Sequence, residues 1–157
     1  MKRFISYEQM TELLDKQLPK IEAYSFDEIV AVVRGGLTAA HYIAKQLRLP
    51  VGVYYPSNDA YSSPRIMLAK KKANRLLFVE DLVAQGRTFT ELNNFMKGFP
   101  DVEWHFMPVL VDGKYEEDFA LQCLKTEDWI VFPYEKFDKM QEGDRGLFRM
   151  KTDTYGV

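Results

Sequence analysis

The apolar positions of the chain follow two spacings, one typical of helices and one typical of buried strands. After a capping-box pattern that begins at Ser6, apolar residues from Met10 to Leu18 recur on one helical face. Continuous apolar or β-branched runs predict strands at 28–33, 51–55, 76–79, 102–111 and 128–132. Amphipathic segments at 38–47 and 88–97 predict helices between strands. This alternation predicts an α/β protein with a parallel sheet and crossover helices.

Length and composition indicate that the chain forms a single domain. The chain has 157 residues, of which 46% are hydrophobic and 28% charged, so it can bury a core. A net charge of −2 gives no general attraction to nucleic acid, and the short basic run Lys70–Lys72 is typical of a solvated loop. Cys123 is the only cysteine, which excludes a disulfide framework and a cysteine-based metal site. No stretch approaches the roughly 18 apolar residues of a membrane span, so we predict a cytoplasmic protein without nucleic-acid or membrane partners.

The segment 76–88 combines a buried strand, two acids and a glycine-containing turn. Four apolar residues precede Glu80 and Asp81, which we expect at the tip of the strand, and the turn Ala84–Thr88 leads into a helix. In open α/β sheets, ligands bind beyond the carboxyl ends of the strands, where helix N-termini offer unpaired amides to anions. The turn therefore predicts a phosphate site, and the acids predict contacts with hydroxyl groups or a metal. A chance pair of surface acids is the alternative.

This segment resembles the signature by which type I phosphoribosyltransferases bind phosphoribosyl pyrophosphate (PRPP): four apolar residues, two acids, a short loop and Gly-x-Thr. The resemblance implies that Glu80 and Asp81 are the catalytic acids, which face the ribose 2′ and 3′ hydroxyls and their Mg²⁺. It also implies a cradle for the 5′-phosphate, made of Ala84, Gln85, Gly86, Arg87 and Thr88.

A second strand-to-helix junction, at 29–37, resembles the pyrophosphate loop of the same family. There Arg34 would meet the pyrophosphate, while Gly35 and Gly36 would let backbone amides approach it. The family often has a non-proline cis peptide in this loop, which would fall at Val33–Arg34 or beside it. Taken without the resemblance, the segment is also compatible with a plain strand-to-helix turn.

A third segment, 128–135, resembles the Trp-Ile-x-x-Pro-aromatic-acid stretch of bacterial xanthine-guanine phosphoribosyltransferases. The resemblance implies that Trp129 stacks on a purine, that Ile130 lines the base pocket and that Glu135 binds a second Mg²⁺. Stacking on an aromatic face is worth roughly 1–3 kcal/mol per base. The alternative is that Trp129 is a core aromatic residue.

Two positions depart from the pattern of the 6-oxopurine enzymes. Those enzymes have an Asp where this chain has Ala84, and a Lys where the spacing leads to Leu110; Lys114 is the nearest lysine. Adenine-type relatives have Ala at the first of these positions, so the phosphate cradle remains intact. The departures leave open which base is accepted and whether the chain is catalytically active.

Together the resemblances imply a single phosphoribosyltransferase domain over residues 1–157, with a parallel sheet and a small C-terminal hood at about 112–157. The implied activity is a Mg²⁺-dependent transfer of the phosphoribosyl group of PRPP to a purine-type base, in a homo-oligomer such as a dimer or tetramer. The alternative is a non-catalytic regulatory protein of the same fold that binds PRPP or a nucleotide. Residues 56–64, with Tyr61 and Ser62, are either a closing loop or an ordinary exposed loop, and Arg65 and Arg145 are further candidates for pyrophosphate contacts.

Overall fold

The structure is a computed structural model that describes residues 2–58 and 62–135. Tyr61, Arg145 and the hood beyond Glu135 therefore lie outside the described residues. The strands are β1 (Lys2–Phe4), β2 (Glu28–Val32), β3 (Val51–Tyr55), β4 (Arg65–Met67), β5 (Arg75–Val83), β6 (Glu103–Asp112), β7 (Leu124–Thr126) and β8 (Trp129–Val131). The helices are α1 (Tyr7–Asp15), α2 (Leu18–Ala23), α3 (Leu37–Leu47), α4 (Arg87–Met96) and a short 3₁₀ helix (Pro133–Glu135). None of the helices within these residues has the length and apolar character needed to cross a membrane.

The main sheet has six strands in the order β4-β3-β2-β5-β6-β7. All neighbouring pairs are parallel except β3 and β4, which are antiparallel. The predicted α/β fold with a mostly parallel sheet is therefore confirmed. The strand predicted at 128–132 forms as β8, but it pairs with β1 in a separate two-stranded sheet. The sequence did not predict β1, because its three residues are exposed and form no apolar run.

Helices cover both faces of the main sheet, as the alternation of its side chains requires. On β2, Ile29 and Ala31 belong to a core cluster that also contains residues of α1, α2 and α3. Val30 and Val32 point the other way and join a second cluster, which contains residues of α4. Since successive strand residues face opposite sides, a run that is apolar at every position requires cover on both sides.

The N-terminal helical pattern is divided into two helices. The predicted capping box is present: the Gln9 amide donates to Ser6 Oγ at 3.1 Å, and the Ser6 amide donates to Gln9 Oε1 at 2.8 Å. The apolar face predicted from Met10 to Leu18 is interrupted, because α1 ends at Asp15 and α2 begins at Leu18. Proline in the first turn of α2 explains the restart, since its missing N–H would break a continuous helix.

A buried carboxylate, that of Glu28, lies at the start of β2, at the end of the strand opposite to the 33–36 turn. The Glu28 side chain is fully buried, and its two oxygens accept hydrogen bonds from the amides of Ala69 at 2.6 Å and Lys70 at 2.9 Å. A Cβ on Gly52 would lie 2.5 Å from Glu28 Oε1, so the neighbouring strand leaves room for this carboxylate. The loop that contains Lys70–Lys72 is thereby fixed to β2, with the lysines themselves exposed as predicted.

We expect Glu28→Gln to lower the free energy of unfolding by about 1–3 kcal/mol, because its amide NH₂ would face a backbone donor in a buried site. Urea denaturation measures the change. Glu103→Gln is the matched control: Glu103 pairs with Arg75 at 3.0 Å on the surface, where the pair contributes about 0–1 kcal/mol. An equal loss in the two variants would contradict a structural role for the buried carboxylate.

Candidate functional site

The two predicted ligand turns leave the sheet side by side. β2 and β5 are parallel neighbours, with Ala31 paired to Val79. The turn at 33–36 follows β2, and the acids follow Val79 along β5. Because the carboxyl ends of parallel strands meet at one edge, the topology brings both turns together where open α/β sheets bind ligands.

β5 continues through the two acids, so the predicted strand end at Val79 is too early. The strand spans Arg75–Val83, because Leu82 and the residue after it pair with β6, which is long enough to carry it further. Glu80 and Asp81 therefore occupy consecutive strand positions. Their carboxyl groups contact each other, and the Asp81 amide donates to Glu80 Oε1 at 3.2 Å. Glu80 is buried, with 8% of its surface exposed, and Asp81 is partly buried.

The glycines of the first turn pack directly against β5. A Cβ on Gly35 would overlap the Asp81 carboxyl group. A Cβ on Gly36 would collide with the backbone carbonyl oxygens of Val79 and Val32. The absence of side chains at both positions thus allows the start of α3 to approach the acidic end of β5.

The backbone of the first turn has the form that the family resemblance implies. The Val33–Arg34 peptide bond is cis, which confirms the expected position of such a bond. The turn is closed by the Gly36 amide, which donates to Val32 O at 2.9 Å, and by the Leu37 amide, which donates to Arg34 O at 3.2 Å. The Arg34 side chain is exposed beside this turn.

The predicted phosphate cradle, residues 84–88, includes the first turn of α4. Ala84 and Gln85 are exposed, Gly86 has a φ of 67°, and the helix begins at Arg87, one residue earlier than predicted. No side chain caps the helix at Gly86, which leaves the first-turn amides, with Thr88 among them, to be satisfied by another acceptor. The cradle predicted from the sequence thus includes an uncapped helix start, and its binding of a phosphate stays a prediction.

The start of the 56–64 loop is attached to α4. Glu91 Oε1 accepts hydrogen bonds from the Ser57 amide at 2.9 Å and from Tyr54 Oη at 3.2 Å, and Ser57 Oγ contacts Glu91 Oε2. Arg65 begins β4 and lines a surface cavity of about 550 Å³ together with Phe95. Whether the loop closes over a ligand stays a prediction, as does a pyrophosphate contact by Arg65.

Sequence reasoning missed one residue of the site, Tyr134. Its hydroxyl donates to Asp81 Oδ2 at 3.0 Å and lies 3.4 Å from Gly35 O. It thereby contacts both the 33–36 turn and the acid pair on β5 from the 3₁₀ helix that follows β8. The only signal in the sequence was the aromatic position of the Pro-aromatic-acid stretch, which does not specify a hydroxyl or its partner.

The electrostatics of this cluster follow from burial. Burial and the neighbouring Asp81 charge raise the pKa of Glu80, and burial also raises the pKa of Asp81, although the Glu80 and Tyr134 side chains act in the opposite direction there. Burial and the Asp81 charge raise the pKa of Tyr134, so its hydroxyl remains a donor. A cation or a set of hydroxyl donors next to the two acids would favour their charged forms.

The acid pair has the donors that Mg²⁺ prefers. Mg²⁺ is usually held by one or two carboxylates together with substrate phosphates, and Glu80 and Asp81 fit that pattern. Glu135, predicted as a ligand of a second Mg²⁺, accepts a hydrogen bond from the Phe132 amide at 2.8 Å within its own turn. Across residues 2–58 and 62–135, no group of three or more His, Cys, Asp or Glu side chains is arranged to hold a metal ion.

The predicted base-binding residues lie on the small sheet. Trp129 is partly buried and pairs with Lys2, and Ile130 pairs with Arg3. Ile130 is 7% exposed and belongs to the first core cluster, which assigns its side chain a packing role. Contacts of either residue with a base remain predictions.

The two departures from the 6-oxopurine pattern have clear structural positions. Leu110 is 1% exposed in the middle of the sheet, where it pairs with Leu82 and Leu124. Lys114 is exposed in the turn after β6, and its amide donates to Asp112 Oδ1 at 2.9 Å. Ala84 is exposed at the start of the phosphate cradle. No lysine therefore occupies the strand position used by the 6-oxopurine enzymes.

Comparison with known sequences gives one partial match. No protein-family model matches the chain. Over 85 residues, the chain is 25% identical to the orotate phosphoribosyltransferase of Sulfurisphaera tokodaii, a match that covers 54% of this chain and 44% of that protein. The chain thus spans less than half the length of this curated relative.

Comparison with solved structures covers nearly the whole chain. The purine phosphoribosyltransferase of Pyrococcus horikoshii aligns with a TM-score of 0.71 at 22% identity, covering 90% of this chain and 98% of that one. The xanthine-guanine-hypoxanthine phosphoribosyltransferase of Helicobacter pylori aligns with a TM-score of 0.72 at 19% identity, covering 86% and 94%. The chain therefore has the type I phosphoribosyltransferase fold.

Proposed function

We propose that this chain is a Mg²⁺-dependent phosphoribosyltransferase that transfers the 5-phosphoribosyl group of PRPP to a purine-type base. The observation that carries the proposal is the packing of the Asp81 carboxyl group on Gly35. PRPP bears its pyrophosphate on C1′, which is bonded to the carbon that bears the 2′ hydroxyl. A residue that binds the ribose hydroxyls must therefore adjoin the turn that binds the pyrophosphate, and this packing meets that requirement.

Each residue has a role in the proposed reaction. Glu80 and Asp81 hold the ribose hydroxyls, the 84–88 turn holds the 5′-phosphate through its amides, and Arg34 contacts the pyrophosphate. The bond between C1′ and the pyrophosphate oxygen breaks, and a bond forms between C1′ and a nitrogen of the base, which loses its proton. Mg²⁺, held by the acid pair and the substrate, would neutralise charge on the leaving group. The protein contributes mainly by positioning and by fixed electrostatics.

The choice of a purine rests on two observations. The purine phosphoribosyltransferase of P. horikoshii and the xanthine-guanine-hypoxanthine phosphoribosyltransferase of H. pylori align over at least 94% of their own length. The 128–135 segment has the Trp-Ile-x-x-Pro-aromatic-acid pattern, and its Trp129 is partly buried rather than enclosed in the core. The partial match to an orotate enzyme makes orotate the competing base.

A PRPP- or nucleotide-binding protein without turnover is the second candidate. It is favoured by Leu110, which is buried and apolar where 6-oxopurine enzymes carry a lysine, and by Ala84 in place of an aspartate. Neither change removes the acid pair or the phosphate cradle, so both candidates retain PRPP binding. A homo-oligomer, either dimer or tetramer, stays part of the proposal.

The deciding experiment is an assay with PRPP and Mg²⁺ against xanthine, guanine, hypoxanthine, adenine and orotate, following nucleotide and pyrophosphate together. Turnover of a purine supports the proposal, and turnover of orotate alone would correct the base. Binding of PRPP by calorimetry without turnover of any base would favour the second candidate. The absence of both PRPP binding and turnover would refute the proposed transferase and a PRPP-binding protein without turnover.

A further inference from the structure

Tyr134 connects the segment that follows β8 to the 33–36 turn and to the acid pair on β5. Its hydroxyl donates to Asp81 Oδ2 at 3.0 Å, and Gly35 O lies 3.4 Å away as a second acceptor. The Asp81 carboxyl group itself packs on Gly35. Three elements from distant parts of the chain thus meet at one carboxylate.

The ring of Tyr134 is held in place by a stacking contact with a buried aromatic residue. It stacks on Phe132 with a centroid distance of 5.2 Å and an angle of 8° between the planes. Phe132 is 2% exposed and belongs to the first core cluster. A hydroxyl on a ring held in this way is a rigid donor, and its position relative to β5 is set by the core rather than by the ligand.

We propose that Tyr134 is a positioning residue for PRPP binding, whose hydroxyl orients the Asp81 carboxylate against the Gly35 turn. This inference rests on the proposed function, in which Asp81 faces the ribose hydroxyls. Without this hydrogen bond, the Asp81 carboxylate would keep rotational freedom that the ligand must restrict on binding. The hydrogen bond restricts that freedom in advance, so the ribose hydroxyls meet an oriented acceptor.

The test compares Tyr134→Phe with the wild-type protein by calorimetry, using PRPP with Mg²⁺ and, separately, pyrophosphate with Mg²⁺. Phenylalanine keeps the ring that stacks on Phe132 and removes only the hydroxyl. We expect PRPP affinity to fall about tenfold, as for loss of a hydrogen bond to a charged group. Pyrophosphate lacks the ribose that Asp81 faces, so its affinity should stay within about threefold of wild type.

The matched control is Tyr42→Phe. Tyr42 Oη donates to Asp15 Oδ1 at 2.7 Å, so this variant loses the same kind of bond, here between α1 and α3 and outside the two ligand turns. Thermal denaturation of both variants separates loss of stability from loss of binding. We expect PRPP affinity to be unchanged in Tyr42→Phe.

Three results would overturn the inference. These are an unchanged PRPP affinity in Tyr134→Phe, an equal loss of affinity for pyrophosphate, and an equal loss of PRPP affinity in Tyr42→Phe. If the wild-type protein binds PRPP, any of these three results contradicts the inference about Tyr134 without contradicting the proposed function. Failure of the wild-type protein to bind PRPP would instead refute the proposed function itself.

Discussion

Asp81→Asn is expected to lower kcat/KM for PRPP by about a hundredfold or more, the size of effect seen when a preorganised electrostatic contact is removed. The amide keeps the shape of the side chain but lacks the charge that favours Mg²⁺ and accepts from ribose hydroxyls. Its NH₂ group also places a donor where those hydroxyls need an acceptor. Initial rates of pyrophosphate release, at a saturating concentration of whichever base the assay identifies, measure the change.

Asp101→Asn is the control for this experiment, because Asp101 is an exposed acid in the turn after α4. We expect it to retain wild-type activity. The thermal denaturation of Asp81→Asn should show a folded protein, since Tyr134 can still donate to the amide oxygen of the new side chain. A variant at position 81 that retains a third or more of the activity would contradict the role assigned to this acid.

Gly36→Ala is expected to lower the free energy of unfolding by about 3 kcal/mol, at the upper end of the usual cost of overpacking. The new methyl group would collide with the carbonyl oxygens of Val79 and Val32, which belong to the two central strands. Backbone atoms of paired strands cannot move aside as a flexible side chain can, so the start of α3 must shift. Urea denaturation measures the stability, and the same shift should reduce PRPP turnover.

Gly98→Ala provides the comparison for this variant. A Cβ there would meet only Phe95 O at 3.4 Å, which is an ordinary contact. Its effect on the free energy of unfolding should stay within about 1 kcal/mol, because alanine also restricts the unfolded chain and so offsets part of any cost. If the two alanine variants unfolded at the same urea concentration, the close packing of α3 on β5 would not be a source of stability.

Local sequence was sufficient for most elements and for the positions of the two ligand turns. The strand β2 follows from an apolar run, and the helix α3 follows from an amphipathic spacing of its apolar residues. Both patterns are contained within the segment itself. The capping box at Ser6 formed as predicted, because its two hydrogen bonds join residues three positions apart. The turns could be located because glycine and acidic residues at strand ends mark ligand sites in parallel sheets.

Contacts between distant residues could not be predicted in this way. The pairing of β1 with β8 joins residues 2–4 to residues 129–131. No local pattern in either segment specifies this partner, because the two segments meet only in the folded chain. β5 extends beyond Val79 because β6 supplies partners for it, a fact that its own residues do not encode.

The same distinction holds within the candidate site. The sequence by itself determined the residue types there, namely paired acids and glycine-containing turns. Only the tertiary structure decided that Asp81 packs on Gly35 and that Tyr134, 53 positions away from Asp81, donates to its carboxylate. The physical reason is that residue types follow from local spacing, whereas the meeting of side chains depends on how the sheet orders its strands and how the core fixes the segment after β8.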